Sequence, residues 1–185
     1  MRITDDRYSG ELARFELAMR MIRLEARTGT IRACTGFSED RVRKLVGSYC
    51  RTADGLTVRR RRGKSPRRID RFVGNAWRQA EATLLALLFV YTGALRLAGG
   101  ELRPTRGISA VSLGERLCQA YETYARIKEP ANLSFEWAWS LYHALVAGGE
   151  LYFSYCDACE LPYVQDRFAL DYRRCPTCEI VSRKE

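Results

Sequence analysis

The chain has 185 residues, is 46% hydrophobic and carries a formal net charge of +9. That length suits one domain, or one domain with a small appendage, and the composition supports a real core. The longest apolar stretch, 84–95, is bounded by Glu81 and Arg96 and is too short for a bilayer, which excludes a membrane-spanning helix. The basic balance suits a polyanion, most simply nucleic acid, although a solvated basic face would look the same.

In chain order the pattern is helical almost throughout. Along residues 10–28 apolar residues recur at three and four, and Leu12, Phe15, Met19, Ile22 and Leu24 make one stripe that Gly29 closes. A short helix over 30–35 and a Gly36-Phe37 turn follow, and Ser38 is placed to cap the helix EDRVRKLVGSY. Residues 30–48 therefore read as a helix-turn-helix-like segment. Gly36 supplies the positive φ of the turn, and Ile31, Phe37, Val42 and Leu45 hold the two helices together. Arg41, Arg43 and Lys44 are the basic positions left outside, as a DNA-reading helix requires. Arg32, just after the Ile31 anchor, stands where a small residue is usual and works against close packing. The competing reading is an ordinary helical hairpin.

Residues 51–68 form a basic loop holding Arg59, Arg60, Arg61, Arg62, Lys64, Arg67 and Arg68. It reads as a phosphate clamp or minor-groove arm, or else as a solvated loop. Ser65-Pro66 reads as the N-cap and first residue of the next helix. A core helix is expected over 75–97, a linker over 98–108, a helix over 111–128 stopped by Pro130, and a helix over 135–147 capped by Ser134. Phe135, Trp139, Tyr142 and Leu145 share one side of that last helix. Trp137 and Trp139 lie about 200° apart around it, so one of them must meet another layer, the C-terminal module or a partner chain.

Gly148-Gly149 leads into Cys156-x-x-Cys159, fifteen residues, then Cys175-x-x-Cys178. Each pair sets two thiolates on a tight knuckle, and two knuckles supply the four sulfurs of a closed tetrahedral zinc site. Leu151, Tyr152, Phe153, Tyr155, Leu161, Tyr163 and Val164 flank the pairs as two short strands. The spacing points to one structural Zn²⁺ per chain; iron or a redox dithiol are the other readings. Cys34, Cys50 and Cys118 read as small buried hydrophobes. The single histidine, His143, reads as a core or half-buried residue. With no P-loop, no GxGxxG and no hydrolytic triad, nothing suggests an enzyme. The N-terminus lacks the apolar stretch of a secretory signal, and with seven cysteines in the chain a reducing, cytoplasmic compartment is expected. The expected architecture is mainly α: a helical DNA- and partner-binding domain over 1–149 and a four-cysteine zinc-ribbon-like module over 150–185.

The order of these parts resembles the flagellar transcriptional activator subunit FlhC over essentially the whole chain. The telling pieces are GKSPRRIDRFVGN (63–75), FEWAWSLYHALVAGGEL (135–151) and YCDACELPYV…CPTC (155–178). That family often has an aromatic pair after the Ser-Pro segment, where this chain has Arg71-Phe72. The resemblance implies a bacterial cytoplasmic regulator acting with FlhD, four FlhD with two FlhC, that binds promoter DNA and recruits RNA polymerase to flagellar operons. It also implies zinc at Cys156, Cys159, Cys175 and Cys178. A zinc-stabilised RNA- or ribosome-binding protein and a protein-interaction adaptor are the alternatives.

Overall fold

The structure is a computed structural model describing residues 2–49, 68–169 and 174–182, with side chains from Tyr8 onward. Among these residues the chain forms eight helices and two antiparallel hairpins. None of the helices is long and apolar enough to cross a membrane.

The first three helices, α1 (Arg2–Arg23), α2 (Thr28–Thr35) and α3 (Glu39–Tyr49), pack against one another. α1 stops at Arg23, short of the expected boundary at Gly29, because the chain turns through Glu25 at φ 57°. No glycine marks that turn, so the sequence hides it. The buried row of α1 is Leu17, Ala18, Met21 and Ile22, while Leu12 is exposed and Phe15 and Met19 lie at the flank. Two neighbouring rows fit the same three-and-four spacing, and the expected stripe coincides with the buried one only at Ile22.

The α2–α3 corner follows its residues closely. Gly36 sits at φ 72° and its amide bonds to the Arg32 carbonyl. The Thr35 hydroxyl donates to the Ile31 carbonyl at 2.7 Å and accepts from the Phe37 amide at 3.2 Å. Ser38 Oγ accepts from the Arg41 amide at 3.3 Å and so caps α3. Ile31, Cys34, Phe37, Val42 and Leu45 are buried. Arg32 is exposed and does not obstruct the helices.

After α4 (Asp70–Val73), Asn75 caps α5 (Ala76–Tyr91) by accepting from the Arg78 amide at 2.9 Å. The Ser65-Pro66 start lies outside the described residues. α5 ends at Tyr91 rather than 97, and the stretch expected to be its last turn is β1 (Leu95–Ala98), paired with β2 (Glu101–Pro104). Gly99 and Gly100, at φ 60° and 81°, make the two-residue turn between them. The expected linker is therefore half of a hairpin. α6 (Ala110–Ile127) and α7 (Phe135–Ala147) match their expected spans, and β3 (Leu151–Tyr155), β4 (Pro162–Asp166) and α8 (Pro176–Ser182) complete the chain.

Two apolar clusters result. The larger joins α4 to α7 with both hairpins, around residues such as Phe72, Leu85, Phe89, Tyr124 and Leu141. The smaller joins α1–α3 to Cys118 of α6 and Phe135 of α7. Trp137 lies edge-on to Phe72 at 5.5 Å, and Trp139 touches both clusters, so the two tryptophans do meet different neighbours. Gly114 lets α6 approach closely, since a Cβ there would lie 2.8 Å from Leu17 Cδ2 and 2.9 Å from Cys34 Cβ. Arg20 of α1 reaches Glu122 of α6 through two hydrogen bonds of 2.8 and 2.7 Å. Glu136, 1% exposed at the start of α7, accepts from the Arg27 amide at 2.7 Å and so fixes the α1–α2 corner. The β3–β4 hairpin is fastened to α5: Gln79 Nε2 donates to the Val164 carbonyl at 2.8 Å, and the Val164 amide donates to Thr83 Oγ1 at 3.0 Å. Leu151, Phe153 and Val164 belong to the larger cluster.

Candidate metal centre and basic surface

The first cysteine pair occupies the tip of the β3–β4 hairpin. Tyr155 pairs with Pro162, and between them the Cys156 amide bonds to the Leu161 carbonyl at 3.1 Å and the Glu160 amide to the Cys156 carbonyl at 2.8 Å. Glu160 takes φ 60° to close this knuckle. The second pair opens α8, a helix not expected from the sequence. Its signal is Cys175-Pro176, because proline favours the first helical position. The Cys178 amide donates to Cys175 Sγ at 3.4 Å, so Cys175 acts as the cap of α8. The Cys175 amide donates to Cys156 Sγ at 3.2 Å and links the knuckles.

The four Sγ atoms lie within 4.8 Å of one another, and Cys159 Sγ is 3.7 Å from Cys175 Sγ. A disulfide would need about 2.05 Å. Sulfurs about 2.3 Å from a tetrahedral zinc are about 3.8 Å apart, so the Cys159–Cys175 separation is compatible with two ligands of one metal ion. Cys156 and Cys175 are buried and Tyr163, 1% exposed, packs beneath them. The donors of the Cys175 amide and of the knuckle bring the Cys156 thiol down to about 6. The neighbouring sulfurs of Cys175 and Cys159 push Cys178 up to about 12, and burial raises Cys175. The thiols therefore oppose one another's ionisation, a conflict that a divalent cation removes by displacing their protons. These four cysteines form a cluster able to hold a metal ion. His143 lies at the surface of α7 against the Trp139 ring at 4.4 Å, where partial burial lowers its imidazole below the ordinary value; it is not part of the cluster. Cys34 and Cys118 are buried, as expected, and burial raises both thiols to about 12. Cys50 lies outside the described residues.

Arg41, Arg43 and Lys44 are all exposed on α3: Lys44 lies opposite the buried Val42, Leu45 and Val46, and Arg41 and Arg43 lie at the two edges of that buried face. Two of them are engaged within the chain. Arg41 bonds to Glu11 at 2.8 Å and lies 3.9 Å over the Phe37 ring, and Arg43 pairs with Glu39 at 2.6 Å and Asp40 at 3.4 Å. Arg68, at the edge of the basic loop, pairs with Asp70 at 2.8 Å. Arg59, Arg60, Arg61, Arg62, Lys64 and Arg67 lie outside the described residues. By sequence, segment 51–68 holds eight cations against one carboxylate, so it carries seven of the nine net charges.

No protein-family model matches the chain, and no curated protein matches it either.

Proposed function

We propose that the chain is a zinc-stabilised, DNA-binding subunit of a transcriptional activator, as its resemblance to FlhC implies, acting in the cytoplasm with a FlhD-like partner and RNA polymerase. The observation that carries this reading is α3. Val42, Leu45 and Val46 hold it to α1 and α2, the Gly36 turn sets its start, Lys44 stands on its free side, and Arg41 and Arg43 stand exposed at the edges of its packed face. A helix held in this way can enter a major groove while its cations meet bases or phosphates. The ion pairs of Arg41 and Arg43 are surface pairs worth roughly 0–1 kcal/mol, so exchanging their carboxylates for phosphates costs little. The basic segment 51–68 supplies sequence-independent affinity for the backbone. The metal's part is structural: four thiolates leave a closed tetrahedron no open position for substrate.

The RNA-binding alternative is less favoured by the strands. Tyr152 and Tyr155, the exposed tyrosines of β3, are an odd number of residues apart and point to opposite faces, so they offer no stacking platform.

The test is binding of labelled promoter duplex by the chain with its partner, with unlabelled duplex or structured RNA as competitor. Duplex should compete far better, and equal competition by RNA would overturn the reading. Replacing Arg59, Arg60, Arg61 and Arg62 by Ala should weaken specific and random duplexes alike. It should also flatten the slope of log K against log salt by up to about 0.9 for each phosphate that the variant leaves unneutralised. An unchanged slope would remove the segment from the interface.

A further inference from the structure

Where the basic segment ends, α4 and the start of α5 meet the loop before α7 around a hollow of about 310 Å³. Its floor is Glu81, 7% exposed, whose carboxylate accepts from Asn132 Nδ2 at 2.6 Å and lies 3.8 Å from Lys128 Nζ. That acid already has a hydrogen-bond donor and an ion-pair partner within the chain. The rim is different. Trp77 is 60% exposed, and among the described residues its ring has no aromatic neighbour. Arg78, beside it, is exposed and has no carboxylate partner among those residues. Arg71 is held in place, its Nη2 donating to the Asn132 carbonyl at 2.8 Å and its Cζ 5.9 Å from the Trp137 ring. Its Nε is buried without an acceptor.

A largely exposed indole on the rim of the same hollow as two arginines, one pre-positioned and one uncommitted, matches what a nucleotide offers. The aromatic face takes a base and the guanidinium groups take the adjoining phosphates. We propose that this corner is a stacking site for single-stranded nucleic acid, with a base on Trp77 and its phosphates at Arg78 and Arg71. The proposal rests on the reading that the chain binds nucleic acid, and it adds a binding surface apart from α3 and from the basic segment.

The probe is a fluorescein-labelled oligothymidylate of about 12 nucleotides, with a duplex of equal length as comparison. It is titrated with the full chain, together with its partner where solubility requires it. Trp77→Ala should lose roughly fivefold or more in affinity for the single strand, Trp77→Phe should keep most of it, and duplex binding should change by roughly twofold at most. Arg78→Ala should weaken the single strand and lower its salt slope. Oligothymidylate should quench tryptophan emission in the wild type but not in Trp77→Phe, where Trp137 and Trp139 remain. Undiminished binding by Trp77→Ala, or undiminished quenching in Trp77→Phe, overturns the site. Binding of duplex without single strand overturns this proposal alone. Binding of neither overturns it together with the proposed function.

Discussion

Glu122 receives both arms of the Arg20 guanidinium, and that hydrogen bonding holds its carboxyl below the ordinary value of 4.5. Because the folded value is depressed, the pair adds stability above the ordinary value and loses it as pH falls through the depressed one. Both side chains are partly exposed, so Glu122→Gln should cost about 1 kcal/mol near neutrality. Urea melts of the two proteins should converge in acid; a gap that persists there would mean the residue acts by packing alone. Glycines make a second residue-scale contrast. In α1, Gly10 has open space around a Cβ, so Gly10→Ala should stabilise by roughly 0.5–1 kcal/mol. Gly114→Ala, in contrast, should destabilise by roughly 1–3 kcal/mol, because the methyl meets Cys34 Cβ, which cannot move without moving α2. Equal shifts in melting temperature for both variants would show that α6 does not need this close approach.

Among the elements, helix ends marked by a serine or glycine can be read from the sequence, and ends marked by other residues are harder to place. Ser38, Gly36, Ser109 and Gly148 mark helix ends in letters, and α3, α6 and α7 start or stop beside them. The end of α1 rests on Glu25, a residue with no turn preference, so the sequence places it too late. The first hairpin is hidden because the apolar run Leu84 to Leu95 carries on from the helix into β1, although Gly99-Gly100 carries the turn signal. The cysteine spacing locates the four-cysteine cluster, but not α8, nor Tyr163 beneath it, nor the fastening of β4 to α5. That fastening sets the next prediction. Freshly purified protein should contain about one zinc per chain, and less than about half an equivalent, or a red iron chromophore, would refute zinc. Cys175→Ser opens the site and removes the cap of α8. Amide exchange should then rise in β3, β4 and the Gln79–Thr83 stretch of α5, and remain slow in α2.

At the scale of the whole molecule, α6 and α7 each place residues in both apolar clusters, Leu117 and Cys118 on one helix and Phe135 and Leu141 on the other. Neither cluster can be exposed without disturbing a helix the other uses, which ties the α1–α3 corner to the C-terminal strands. The uneven placement of charge has a separate, colloidal consequence. With seven of nine net charges in segment 51–68, the remaining 167 residues carry only +2. Their surface includes Trp77, Tyr91, Leu161 and Phe168, all more than half exposed. Mutual repulsion between copies therefore depends on one short stretch. A polyanion bound to that stretch cancels the repulsion, so copies or partners gathered on the same strand approach each other as nearly neutral bodies with apolar groups facing out.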